Sequence, residues 1–136
     1  MAATTTDRNT RHRNGRRRAI PVAASTKIPA GVMAAINASG YLVNGATSTT
    51  QKCIGVPQAT IDNSAGADAA INGEVDTGVY GPFVILGADP VTRANIGADV
   101  FMVDNQTIAA TNGSNTRSVA GKLFDVDADG AWVNFA

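Results

Sequence analysis

The chain has 136 residues, 44% of them hydrophobic and 16% charged, and its eleven basic and eleven acidic side chains give a net charge of zero. This length fits about one domain, on a rough prior of 100–200 residues per domain. The single cysteine excludes an intrachain disulfide and a thiolate metal site, and no run approaches the ~18–20 apolar residues that cross a bilayer. A secretory signal is not expected either, because no apolar stretch follows the basic N-terminus.

The neutral total hides a charge separation. Residues 1–18 hold six of the eleven basic side chains and one acid, a net charge of +5, whereas residues 19–136 hold five basic groups and ten acids, a net charge of −5. The six basic residues are Arg8, Arg11, Arg13, Arg16, Arg17 and Arg18. With almost nothing apolar to bury, this segment is expected to stay extended and mobile until it meets a complementary surface. The sequence therefore predicts a basic arm over residues 1–18 and a β-rich domain over residues 19–136.

The composition of the arm is compatible with two kinds of partner. Arginines along an extended segment can neutralise nucleic-acid phosphates, or they can bind the carboxylates of an acidic protein surface. The arm lacks the aromatic residues that stack on bases, and the acidic domain behind it would repel a phosphate backbone. Composition alone supports the two equally, with a purely solvated tail as a third alternative.

The rest of the chain has the composition of a β-protein. Valine and isoleucine number 22, against 3 leucines, and β-branched side chains favour strands. A core of Val, Ile and Ala buries little area per residue, so association between subunits is expected to add stability. Strands are predicted over residues 18–24, 32–37, 41–44, 52–61, 74–86, 99–104, 107–110, 119–126 and 131–135. The predicted fold is all-β, a small barrel or sandwich with an extended basic N-terminal arm.

Turn signals separate several of these strands. Hairpins are predicted at Ser39-Gly40, at residues 104–106 and at Asp129-Gly130, and Pro57 predicts a sheet edge or a bulge. Loops are predicted over residues 47–51 and 63–72. At most one short helix is expected, over residues 90–96, with Asp89 as its N-cap and Gly97 as its left-handed stop.

Few residues form patterns typical of a catalytic or metal-binding site. Residues 125–130 match the first half of a calcium loop, D-x-D-x-D-G, but the twelfth position, which should be a bidentate acid, is Ala136. A hairpin is favoured there over a weak calcium site. The one histidine, His12, lies in the arm, and Cys53 is expected to be a small core residue. No catalytic residues, cofactor or metal site are predicted, and the protein is not expected to be an enzyme.

The order of short segments along the chain supports a more specific hypothesis. They are residues 6–10 (TDRNT), 20–24 (IPVAA), 28–31 (IPAG), 35–40 (AINASG), 54–58 (IGVPQ), 62–63 (DN), 96–100 (IGADV), 103–107 (VDNQT), 117–122 (RSVAGK) and 125–127 (DVD). In this order the chain resembles the small capsid cement, or decoration, proteins of tailed bacteriophages, particularly those of Mu-like transposable phages. Gly81-Pro82 departs from the pattern, since it should bend or interrupt a strand.

The resemblance implies a non-enzymatic virion protein whose residues 19–136 form a decoration domain on the outer capsid surface. Such proteins commonly form homotrimers that bridge capsomers of the major capsid protein, and they occupy the host cytoplasm during assembly. The six arginines of the arm are then the expected capsid contacts, and neither a membrane nor a nucleic acid is an expected partner. Two alternatives remain: a nucleic-acid-associated protein that uses the arm as a phosphate clamp, and a phage head or tail connector component.

Overall fold

The computed structural model describes residues 2–11 and 15–136. Within these ranges the chain forms twelve strands and one turn of 3₁₀ helix, Arg93–Asn95. The strands are β1 (Arg17–Pro21), β2 (Thr26–Ile28), β3 (Ala34–Ile36), β4 (Leu42–Asn44), β5 (Lys52–Gly55), β6 (Ile61–Asn63), β7 (Asn72–Asp76), β8 (Gly78–Ile85), β9 (Asp99–Met102), β10 (Thr107–Ala109), β11 (Val119–Asp127) and β12 (Gly130–Phe135).

Five of these strands close a barrel in the order β10-β8-β12-β11-β9. Neighbouring strands are antiparallel except β8 and β10, which pair in parallel, with Thr107 opposite Val84. Closure leaves the barrel without an unpaired edge, which protects it from strand-to-strand association. The prediction of a small all-β barrel or sandwich is confirmed.

The barrel interior is filled by alternate side chains of its strands. In β12, Ala131, Val133 and Phe135 are buried while the residues between them are partly exposed, as the two-residue period of a strand requires. The rings of Phe83 and Phe135 meet edge to face, with centroids 5.8 Å apart. This apolar core holds the barrel strands in register.

The N-terminal half forms a second layer. It consists of a three-stranded sheet in the order β4-β3-β5 and two strand pairs, β1 with β7 and β2 with β6. A second cluster of buried side chains holds this layer together: Val22, Ile28, Ala34, Leu42, Ile61 and Val75. Strand β3 joins the two clusters, because Ala34 packs in the second cluster and its neighbour Ala35 packs in the barrel core.

Two predicted strands are each divided in the structure. The predicted strand 52–61 ends at Gly55 as β5, and only Ile61 belongs to the next strand, β6. The residues between them include Pro57, which has no N–H to donate to a neighbouring strand. The run 74–86 becomes β7 and β8, separated at Thr77, and Gly78 supplies a φ of +121°. The short strand β2 was not predicted, because three residues are too few to show a period.

The predicted helix is reduced to the 3₁₀ turn at Arg93–Asn95, and its cap is Thr92 rather than Asp89. The Thr92 hydroxyl accepts from the backbone N–H of Ala94, and the Asn95 side chain accepts from the N–H of Thr92. Asp89 instead accepts hydrogen bonds from Thr111 and Arg117. Gly97 has the predicted left-handed conformation, with a φ of +89°.

Strand β8 runs through Gly81 and Pro82, where the sequence predicts a bend or a break. The peptide between them is cis, and the pairing of β8 with β12 shifts register between Ala131 and Val133. A Cβ on Gly81 would lie 2.7 Å from the carbonyl oxygen of Ala131, so the close approach requires glycine. The strand continues because the bulge needs no ladder hydrogen bond from Pro82.

Gly130, the first residue of β12, provides a test of this packing. Its φ is +142°, and an added Cβ would collide with the carbonyl oxygen of Phe83. Gly130→Ala is expected to lower the free energy of unfolding by about 1–3 kcal/mol, measured by urea denaturation. Gly87→Ala is the control, because nothing lies within 4 Å of a Cβ there. Equal denaturation midpoints for the two variants would contradict the argument.

Candidate functional site

The distal part of the arm, residues 2–11, is irregular in structure and exposed along its length. It carries Arg8 and Arg11, and the hydrogen bonds within this described segment join only Thr4 and Thr6. None of its residues is hydrogen-bonded to residues 15–136. Arg13 and His12 lie outside the described residues. The distal arm thus presents two exposed guanidinium groups that the folded domain does not engage.

The proximal arginines belong to the fold. Arg17 and Arg18 are the first two residues of β1 and pair with Asp76 and Val75 of β7. Arg16 precedes them, and its carbonyl oxygen accepts a hydrogen bond from the backbone N–H of Thr77. The arginine-rich segment and the first strand therefore overlap by two residues.

Arg17 forms the best-defined ion pair of this region. Its Nε donates to Asp76 Oδ1 at 2.6 Å and its Nη2 donates to Asp76 Oδ2 at 3.0 Å, while Glu74 Oε2 lies 3.7 Å from its Nη1. The hydrogen bond from Arg17 holds the pKa of Asp76 below its usual range, and it raises the pKa of Arg17. The sequence offered no sign of this pair, because its members lie 59 positions apart.

A groove of about 350 Å³ lies beside β7, and we call it the β7 groove. Three carboxylates line it, those of Asp62, Glu74 and Asp76, with Arg17 as the one basic group. Ile61 and Ile71 contribute apolar surface. Hydrogen bonds from Ser64 lower the pKa of Asp62, so this carboxylate is ionised at neutral pH. The groove therefore has an acidic lining over an apolar base.

The acidic turn near the C-terminus is a hairpin, as predicted. Ala128 and Asp129 form the turn between β11 and β12, one position earlier than the predicted Asp129-Gly130, and within this hairpin only Gly130 has a positive φ. Asp127 Oδ1 accepts from the N–H groups of Asp129 and Gly130, and Oδ2 accepts from Trp132 Nε1 at 2.9 Å. These bonds, that of Trp132 first, lower the pKa of Asp127. Across residues 2–11 and 15–136, no three His, Cys, Asp or Glu side chains are grouped to hold a metal ion.

Cys53, predicted to be a core residue, is half-buried and packs against the barrel core. Burial raises the pKa of its thiol to about 12. Because the thiolate is the reactive form of cysteine, this side chain is inert near neutral pH.

The two most exposed large apolar side chains of the barrel are ones that the sequence did not single out. Phe124 in β11 is 58% exposed and Val84 in β8 is 53% exposed. The pairing of β11 with β12 shifts register between Leu123 and Asp125, which turns Phe124 outwards. Two adjacent large apolar residues, Leu123 and Phe124, could have predicted this exposure. Neighbouring residues in a strand point to opposite faces, so one of the two must face away from the barrel core.

Comparison with known proteins found no matching family model, no similar curated protein and no similar solved structure. In the part of the chain that the structure describes, no helix has the length and apolar character needed to span a membrane.

The Arg17–Asp76 pair predicts a pH dependence of stability. The folded pKa of Asp76 lies below its unfolded value of about 3.9, so its contribution is complete above that value and is lost as the pH falls through the folded pKa. Asp76→Asn should lower the melting temperature at pH 7 and reduce its decline below about pH 4. Asp129→Asn, at an exposed hairpin position, is the control. An acid decline in Asp76→Asn as steep as in the wild type would contradict this.

The hairpin at Asp127 predicts indifference to calcium. Both carboxylate oxygens of Asp127 already accept hydrogen bonds from the same hairpin, and Ala136 occupies the position where a calcium loop has its bidentate acid. Millimolar calcium, or a chelator, is expected to leave the melting temperature unchanged. A saturable increase of several degrees on adding calcium would identify a metal site.

Proposed function

We propose that this protein is a non-enzymatic virion component that binds the outer surface of a phage capsid as a homotrimer and bridges capsomers of the major capsid protein. The observation that supports this most is the distal arm. It is a basic, exposed segment with no hydrogen bond to residues 15–136, attached to a domain of opposite charge. Such a segment suits binding to a partner, because it gains order only from a surface outside its own fold.

The chemistry of attachment follows from arginine. Guanidinium groups form paired hydrogen bonds with carboxylates, as Arg17 does with Asp76 within the fold. Exposed ion pairs of this kind contribute only about 0.2–1 kcal/mol each and are screened by salt. A single arm would therefore hold a shell weakly.

Trimer formation compensates for the weak binding of a single arm. After one arm binds, the other two reach their sites at an effective concentration in the millimolar range, so avidity exceeds single-site affinity by ~10²–10⁴. Three linked subunits on three capsomers also resist separation of the capsomers, because several contacts must break together.

Neutralising the distal arm tests its role in attachment. The change is Arg8→Gln with Arg11→Gln, and the matched control is Lys27→Gln with Lys52→Gln, which removes the same charge from exposed sites of the domain. In a trimer the arm variant loses six ion pairs. At about 0.5 kcal/mol each, this loss corresponds to roughly 10²-fold weaker binding to capsids that lack the protein. The binding is measured by cosedimentation. A deletion should stop at residue 11, because removing residues 1–18 would also remove part of β1.

Three results would contradict the proposal, two from that assay and one that also needs a DNA-binding measurement. The first is equal binding by the arm variant and the control, and the second is binding that does not weaken between 50 and 500 mM salt. The third is tight binding of the wild-type protein to duplex DNA at physiological salt together with no binding to capsids, which would favour the phosphate clamp.

The trimer has a separate test. Light scattering of the free protein is expected to give three times the mass of one chain. Particle density should show the protein at three-fold positions on the outer surface of virions. A monomer at the centres of capsomers would exclude bridging even for a protein on the capsid.

A further inference from the structure

One strand of the second layer, β7, has an edge that is largely unpaired. Within residues 15–136, β7 pairs along one side with β1, and its other side carries only the single bridge between Asp76 and Val56. Both backbone groups of Asp76 are used in that bridge. Because alternate residues of a strand present their backbone groups to the same side, Asn72 and Glu74 direct their N–H and C=O groups to this second side, where no strand is paired.

The unpaired edge of β7 forms one wall of the β7 groove. The opposite wall is the segment from Gln58 to Asp62, which diverges from β7 beyond the Val56 bridge. Ile71 is 37% exposed and lines the groove together with the carboxylates of Glu74 and Asp62. An extended peptide with basic side chains would gain backbone hydrogen bonds from Asn72 and Glu74 and ion pairs from the acids.

The chain itself contains a segment of this description. The distal arm is irregular, and its residues 8–11 carry Arg8 and Arg11 with no acid between them. Its residues make no hydrogen bonds with residues 15–136, so the groove of the same chain does not hold it. Each arm leaves β1 beside Asp76, at the end of β7 that the Val56 bridge closes, and would have to reverse around that bridge to enter its own groove.

We propose that the β7 groove binds the distal arm of a second copy of this chain, which adds to the free edge of β7 as a strand. The contact joins two different surfaces, an arm and a groove, so it is heterologous and closes as a ring when each copy gives its arm to the next. This inference goes beyond the proposed function and does not depend on it, because it concerns the free protein. Arg18, which is exposed in β1, stays outside the groove.

Disulfide trapping between two full-length variants tests the exchange. One chain carries Thr10→Cys, which keeps both arginines of the distal arm, and the other carries Thr60→Cys, on the exposed wall of the groove. The native Cys53 stays silent at neutral pH, because burial raises its pKa to about 12. When the two are mixed at micromolar concentration with oxidised glutathione, a disulfide-linked heterodimer is expected at least ~10-fold faster than from Thr10→Cys with Ala128→Cys. The control cysteine is equally exposed but lies in the β11–β12 hairpin.

A charge variant gives a second measurement that leaves the cysteines in place. Glu74→Gln in the Thr60→Cys chain is expected to lower the trapping rate several-fold, and Asp129→Asn, outside the groove, to leave it unchanged. Equal rates at Thr60→Cys and Ala128→Cys would overturn the inference, as would a rate insensitive to Glu74→Gln. So would an exclusively intrachain disulfide in a chain carrying both Thr10→Cys and Thr60→Cys.

The design separates this inference from the proposed function. Trapping is measured without capsids, so its failure says nothing against attachment of the arm to a shell. Conversely, a protein that ignores capsids can still exchange arms.

Discussion

Asp76 is the residue on which the two halves of the molecule depend. Its backbone bonds to Val56, its carboxylate receives two hydrogen bonds from Arg17, and its carbonyl lies so close to Gly55 that a Cβ there would collide with it. It is also the last residue of β7, and after Thr77 the chain enters β8 of the barrel. The N-terminal strand, the second layer and the barrel are thus joined at one residue. Its side chain is buried, and a buried charge is tolerated only with a partner of this kind.

Small side chains allow the two apolar clusters to lie on either side of one strand. Ala34 and Ala35 face opposite clusters, and Gly45 approaches Met33 and Met102 closely enough that a Cβ would lie 2.7 Å from each. Larger residues would push the layers apart. The abundance of alanine, which the sequence suggested as a reason for weak stability, therefore has a second physical role, since it permits close packing between layers.

Local features were predictable from the sequence, and long-range ones were not. The hairpin at Asp127 and the left-handed Gly97 follow from neighbouring residues, and so does the all-β composition. The role of Asp89 was mispredicted because its partners, Thr111 and Arg117, are far along the chain, whereas Thr92 was close enough to compete for the cap. Arg17 was assigned to the arm on charge alone, because its partner in β7 is invisible to local patterns. The β7 groove was also missed, since its walls come from residues 58–62 and 71–76.

The antiparallel pairing of β1 with β7 has a mechanical consequence. The arm continues from the Arg17 end of β1, and the barrel continues from the Asp76 end of β7, and these two ends are opposite each other in the register. A force between a held arm and the barrel therefore acts on one end of the pair and peels the strands apart bond by bond, rather than shearing all their bonds at once. The hydrogen bonds from Thr77 to the carbonyl oxygens of Gly15 and Arg16 carry that force first, and the Arg17–Asp76 pair carries it next. These contacts together set how much tension the arm transmits before β1 detaches.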